Sequence, residues 1–129
     1  MADEASSIEG VQASKALPEV INATPEEFDV LLTTRTNVLL VTYMWGLDCP
    51  NCEFFAKRLP ALLEELAGAP FVLVKVDVYS RPDFARRFGV FGIPHFLLFR
   101  DGKRLGKMSE FRGDQFWLTV IREHLPNTA

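Results

Sequence analysis

An α/β domain built on a mixed sheet is the fold class this sequence predicts, and three observations carry the prediction. Apolar runs of strand length, Val38-Leu39-Leu40-Val41, Phe71 to Val76 and Phe96 to Phe99, alternate with stretches of helical spacing. Nearly continuous apolar runs suit strands buried on both faces of a sheet. After the last of them, Asp101-Gly102 is a hairpin turn signal, so Lys103 to Met108 would return as an antiparallel partner. The chain has 129 residues, a length that suits one domain. Its hydrophobic fraction of 48% supplies a core, with eleven Phe giving much of the volume.

The elements follow in order. Residues 1–17 are small, polar and acidic and read as a flexible tail, ahead of a domain over 18–129. Val20-Ile21 is a short strand candidate. Thr24-Pro25-Glu26-Glu27 starts a helix: Thr24 caps, Pro25 fits the first turn and Glu27 completes a capping box. Phe28, Leu31 and Leu32 then share its inner face. From Cys49, apolar residues recur at Cys52, Phe55, Ala56, Leu59, Leu62, Leu63 and Leu66, which is helical spacing; Pro60 is expected to kink that helix. A short helix over Pro82 to Phe88 stops at Gly89. A last helix runs from about Gly113 to His124, with Phe116, Val120 and Ile121 inward and Pro126 beyond it. The order is β-α-β-α-β-α-β-β-α, a central mixed sheet flanked by helices.

Charge narrows the function classes. The formal charge is -3 and the pI about 5.4, and the basic residues are scattered, which argues against nucleic acid as a partner. The acidic, polar start does not read as a secretory signal, and no stretch has the apolar length of a membrane span. The expectation is a cytoplasmic monomer.

The chemistry lies in Cys49 and Cys52, the only two cysteines, in Trp45-Gly46-Leu47-Asp48-Cys49-Pro50-Asn51-Cys52. A Cys-X-X-Cys between a buried strand and a helix reads as a redox motif. Cys49 would sit at the helix N-terminus, where unpaired amides and the helix dipole favour a thiolate, so it is placed to attack. Cys52, one turn in, is placed to resolve. Pro50 suits the first helical turn. The alternatives are an inert buried pair or half of a metal site. A mononuclear zinc site usually takes four ligands, and only two thiols and two His are present, so metal would have to be shared in a dimer.

The chain resembles the thioredoxin family over roughly Pro18 to Leu125. Three segments carry the resemblance: Trp45 followed by Cys49-Pro50-Asn51-Cys52; Phe91-Gly92-Ile93-Pro94, similar to the family's Gly-Ile-Pro loop; and Phe99-Arg100-Asp101-Gly102-Lys103, similar to the hairpin after it. The resemblance implies a thioredoxin fold, a cis peptide before Pro94 facing Cys49, and substrate pairing on the backbone of Ile93. Trp45 would pack beside the active site, and Phe91 and Gly92 would complete an apolar docking surface; for Phe91, core packing is the alternative. It implies a thiol-disulfide oxidoreductase acting on protein disulfides. The Cys49–Cys52 disulfide would be its redox group, with no metal or organic cofactor, and an external reductant such as a thioredoxin reductase or glutathione would recycle it. Two rivals are a glutaredoxin-like enzyme, with Arg81, Arg86 and Arg87 lining a basic groove, and a redox-inert binding module.

Departures from the family pattern mark residues that tune the site. Asp48 stands where the family has Trp, and Pro50-Asn51 where it has Gly-Pro. A carboxylate at Asp48 should oppose thiolate formation unless it points to solvent. Tyr43 occupies the position of the family's buried Asp. Lys75 matches that Asp's lysine partner and would need another, either Glu53 or the Tyr43 hydroxyl. Lys57 stands where a proline is usual, and Glu110 where a glycine is. His95 follows Pro94 and either tunes the thiolate or begins a strand that points it away. His124 would complement the dipole of the last helix.

Overall fold

The computed structural model describes residues 15–127, so residues 1–14 of the expected tail lie outside the described residues. The elements are β1 (Glu19–Asn22), α1 (Pro25–Thr34), β2 (Leu39–Trp45), α2 (Pro50–Glu65), β3 (Phe71–Asp77), α3 (Pro82–Arg87), β4 (His95–Arg100), β5 (Lys103–Met108) and α4 (Asp114–His124). This is the order the sequence predicts. The five strands form one sheet in the order β1-β3-β2-β4-β5. β1, β3 and β2 run parallel, and β4 and β5 are antiparallel to their neighbours.

The central position of β2 explains its composition. Residues Leu39 to Met44 are all buried, because helices cover both faces of the strand. Alternate residues therefore enter two separate cores. Leu39, Val41 and Tyr43 pack with Phe55, Phe96 and Trp117 on the side of α2 and α4. Leu40 and Met44 pack with Phe28, Phe84 and Phe99 on the side of α1 and α3.

Local chemistry fixes the helix ends as expected. The Thr24 hydroxyl accepts from the Glu27 amide at 3.1 Å, and the Glu27 carboxylate accepts from the Thr24 amide at 2.9 Å. Gly89 ends the α3 segment at φ +68°, which costs a residue without a Cβ nothing. At the hairpin, Asp101 and Gly102 have φ of 51° and 79°, the paired left-handed residues of the turn that matches strand twist.

The face of α2 that enters the core carries Cys52, Phe55 and Leu62, while Ala56 is exposed. One expectation needs correction. Phe116 was expected inward on α4 but is 42% exposed, and Trp117, Leu118 and Ile121 take the core face. Phe116, Trp117 and Leu118 are successive apolar residues, so periodicity did not choose between neighbouring faces. At Pro60 one backbone hydrogen bond is lost, and α2 continues to Glu65.

Candidate active site

The site forms where β2 ends and α2 begins. Asp48 takes φ 56°, a left-handed conformation that Asp tolerates better than most residues, and this turns the chain into the helix. Cys49 is the N-cap of α2, and Pro50 opens its first turn. The Cys52 amide donates to Cys49 Sγ at 3.1 Å, so a sulfur occupies the place where a capping oxygen usually sits. Cys49 and Cys52 are joined as a disulfide, with Cα atoms 5.2 Å apart. Both are buried, and Cys52, at 3% exposure, more deeply than Cys49, at 7%.

The two sulfurs adjoin different spaces. Cys49 lines a groove of about 520 Å³ with Pro50, Asn51, Val78, Tyr79, Pro82, Ala85, Val90, Phe91, Gly92 and Ile93. Asp48 is the one charged residue among these linings. The Ile93-Pro94 peptide is cis, and the Ile93 carbonyl oxygen lies 3.9 Å from Cys49 Sγ. Pro94 is buried, whereas Phe91 is 95% exposed and Gly92 is open to solvent. Phe91 therefore does no core packing.

Cys52 lines a smaller cavity, about 160 Å³, with Tyr43, Trp45, Gly46, Leu47, Asp48, Glu53, Ala56 and Lys75. Burial pushes the Tyr43 phenol up to about 12, and its hydroxyl donates to the Cys52 carbonyl at 3.3 Å. Lys75 has neither expected partner. Among the described residues it makes no ion pair; its ammonium sits 5.3 Å above the centre of the Trp45 ring. Trp45 thus lies on the Cys52 side and does not line the groove beside Cys49.

The remaining candidates fall outside both spaces. His95 pairs across from Met44, and strand alternation puts it with Leu97 and Phe99 on the side of α1 and α3. Burial, then the charges of Lys107 and Arg104, holds its pKa below the ordinary imidazole value. Arg81 is engaged by Glu26 and Asp83 at 2.8 and 3.0 Å, and Arg87 by Asp29 at 2.8 Å; neither they nor Arg86 line the groove. Glu110 pairs with Arg112 at 2.8 Å, also away from the groove. The His124 ring lies 2.8 Å from the Val120 carbonyl, at the C-terminal turn of its own helix. Among the described residues no group of three or more His, Cys, Asp or Glu could hold a metal ion. Likewise no helix among them is long and apolar enough to cross a membrane.

Sequence reading missed one wall of the groove. Val78, Tyr79, Pro82, Ala85 and Val90 come from the β3–α3 loop, α3 and the segment after it. The one signal in the sequence that could have pointed to it is an aromatic residue, Tyr79, just after the β3 run. Its ring covers Gly46, where an added Cβ would come within 2.6 Å of the ring.

Comparison with known proteins agrees with this geometry. The thioredoxin family model matches residues 19–122. The chain belongs to the thioredoxin family. Thioredoxin of Staphylococcus saprophyticus is 31% identical over 109 residues, covering 82% of this chain and 98% of that protein. Thioredoxin of Staphylococcus haemolyticus is 30% identical with the same coverage. Among solved structures, Fasciola hepatica thioredoxin superposes with a TM-score of 0.71 at 24% identity, covering 82% of this chain and 98% of that one. Spinach chloroplast thioredoxin f superposes at 0.73 with 17% identity, covering 85% and 96%. At those identities the structural likeness concerns the thioredoxin fold alone. Family membership and the Cys-X-X-Cys pair make this chain a protein disulfide oxidoreductase, with disulfide substrates and a reductant as its general partners.

Proposed function

We propose that the protein reduces disulfides in polypeptide substrates through a mixed disulfide on Cys49. The observation that carries the reading is the position of Cys49 Sγ. It caps α2 beside the Ile93 carbonyl, at the wall of an apolar groove large enough for side chains of an extended chain. With the pair reduced, the Cys49 thiolate attacks one substrate sulfur; the substrate S–S bond breaks and its other sulfur leaves. The Cys52 thiolate then attacks Cys49 Sγ, the Cys49–Cys52 bond forms, and the second substrate sulfur is released. Two electrons pass from the dithiol to the substrate. An external reductant, either a reductase or a thiol such as glutathione, resets the pair in a reducing compartment such as the cytosol. No metal or organic cofactor takes part.

In this reading the α2 N-terminus lowers the cost of the Cys49 thiolate through its free amides and dipole. Ile93 offers backbone hydrogen bonds to the substrate strand, with the cis Pro94 behind it. Phe91, Tyr79 and Val90 take up apolar substrate side chains. A glutathione-specific groove fits less well, because Arg81 and Arg87 are held in ion pairs outside the groove and its one charged lining residue is an acid. The test is trapping. Cys52→Ser should accumulate mixed disulfides with polypeptide substrates, and Cys49→Ser should abolish turnover. Full turnover by Cys49→Ser would overturn the proposal.

A further inference from the structure

We propose that Glu53 accepts the proton of the Cys52 thiol, across the cavity that both residues line, in the step that resolves the mixed disulfide. The inference rests on the dithiol cycle above and deepens it. Cys52 must be a thiolate to attack, yet it is 3% exposed, so bulk water does not reach it freely. The cavity of about 160 Å³ is the space beside it; its surface is mostly apolar, but Tyr43, Asp48, Glu53 and Lys75 are among its lining residues and it has room for a water that could carry a proton.

Four titratable side chains face Cys52 there: Tyr43 from β2, Asp48 from the loop, Glu53 from α2 and Lys75 from β3. Two are poor acceptors. The Tyr43 hydroxyl is buried, keeps its own proton at neutral pH and is already donating to the Cys52 carbonyl. Lys75 is a cation, has no proton vacancy, and is held over Trp45. Asp48 lines the Cys49 groove as well, at the rim shared by the two spaces. Glu53 lines the Cys52 cavity alone, follows Cys52 directly in the chain and is open to solvent.

The step balances without any added reagent. The Cys52 S–H proton passes to the Glu53 carboxylate, directly or through one water. The Cys52 sulfur bonds to Cys49 Sγ, the bond from Cys49 to the substrate sulfur breaks, and the substrate leaves as a thiolate that takes a proton from solvent. Glu53, being exposed, returns its proton to solvent. Lys75 offsets the negative charge on whichever of the two groups holds it.

The sign of the effect separates this role from a plain charge effect. A carboxylate close to both thiols disfavours their thiolates. Removing it as charge alone would therefore speed attack and resolution together. Removing a proton acceptor slows resolution only. The experiment mixes the reduced protein with a symmetrical aromatic disulfide whose released thiol is coloured. Attack releases the first thiol and resolution the second, in one single-turnover trace. Glu53→Gln should leave the first phase as fast or faster and slow the second about a hundredfold at neutral pH. Its second phase should recover as the pH rises and hydroxide replaces the carboxylate, and Glu53→Asp should restore part of the rate. Asp48→Asn serves as the comparison and should leave the second phase unslowed. Circular dichroism confirms that each variant is folded. A second phase in Glu53→Gln that is unchanged or faster overturns the role of Glu53. Absence of the first phase in the unaltered protein instead overturns the dithiol cycle itself.

Discussion

Phe91 offers a sharp test of how substrates dock. Its ring is 95% exposed beside the cis Ile93-Pro94 peptide and supports no core contact. Phe91→Ala should therefore change folding stability by no more than about 0.5 kcal/mol, the usual range for surface positions. Docking is different. Fully burying a Phe side chain stabilises by about 1.5–3 kcal/mol. A substrate strand lying along Ile93 would cover roughly half of this ring, which corresponds to about 1 kcal/mol and about a fivefold loss in kcat/KM on truncation. The assay compares a polypeptide disulfide with a small polar disulfide, which cannot reach the ring, and adds a urea denaturation curve. The polypeptide reaction should fall about fivefold, the small disulfide reaction should hold, and the midpoint should stay put. An equal fall for both substrates, or a midpoint shift large enough to account for it, refutes a docking role.

Three further outcomes follow from packing and charge. Phe55→Ala removes a fully buried ring whose centre lies 4.8 to 5.4 Å from those of Tyr43, Phe96, Phe111 and Trp117. It should cost about 3–5 kcal/mol in equilibrium urea unfolding, and a loss below about 1.5 kcal/mol would contradict the packing described. For His95, the folded pKa lies below that of the unfolded chain, about 6.5, so the unfolded state binds the proton more readily. The stability it contributes is complete above about pH 6.5 and is lost as pH falls through the lower folded value; His95→Gln should flatten that slope, and an unchanged slope would assign it elsewhere. Gly46→Ala brings a methyl within 2.6 Å of the Tyr79 ring, which is 61% exposed and free to swing away. NMR should show the Tyr79 ring resonances moving, and an unmoved ring would mean that the backbone had yielded instead.

How far the sequence could be read depended on the kind of signal. Strands covered on both faces leave apolar runs that need no partner to interpret, so β2, β3 and β4 were legible, as was the turn at Asp101-Gly102. The cysteine pair was legible because it lies within a few adjacent residues, and the cis Ile93-Pro94 peptide was expected only through the family resemblance. The groove was not, since Val78, Tyr79, Ala85 and Val90 are spread over a loop, a helix and the chain after it, and only the fold assembles them. Lys75 shows the same limit at one position. Its neighbourhood with Tyr43 was implied by the family resemblance and is the register of the two strands, but the choice between a carboxylate and the Trp45 face is made by side-chain reach. On α4, three successive apolar residues left the helix free to turn either way, and packing against Phe55 and Phe71 selected Trp117.

The two rims of the sheet bear on how the protein behaves in a crowded solution. One rim, β1, is only four residues long, and the other, β5, carries Lys103, Arg104 and Lys107 with a register shift opposite Leu98 and Phe99. Short length, positive charge and a bulge each discourage a foreign strand from zipping onto an edge. If polypeptides lie along the backbone at Ile93 as proposed, the protein faces a particular hazard, because the same hospitality at the rims would lead to fibrils. In that reading, guarded rims would confine strand addition to the place where a sulfur waits to react, so that contact with unfolded chains would end in exchange and release rather than in aggregation.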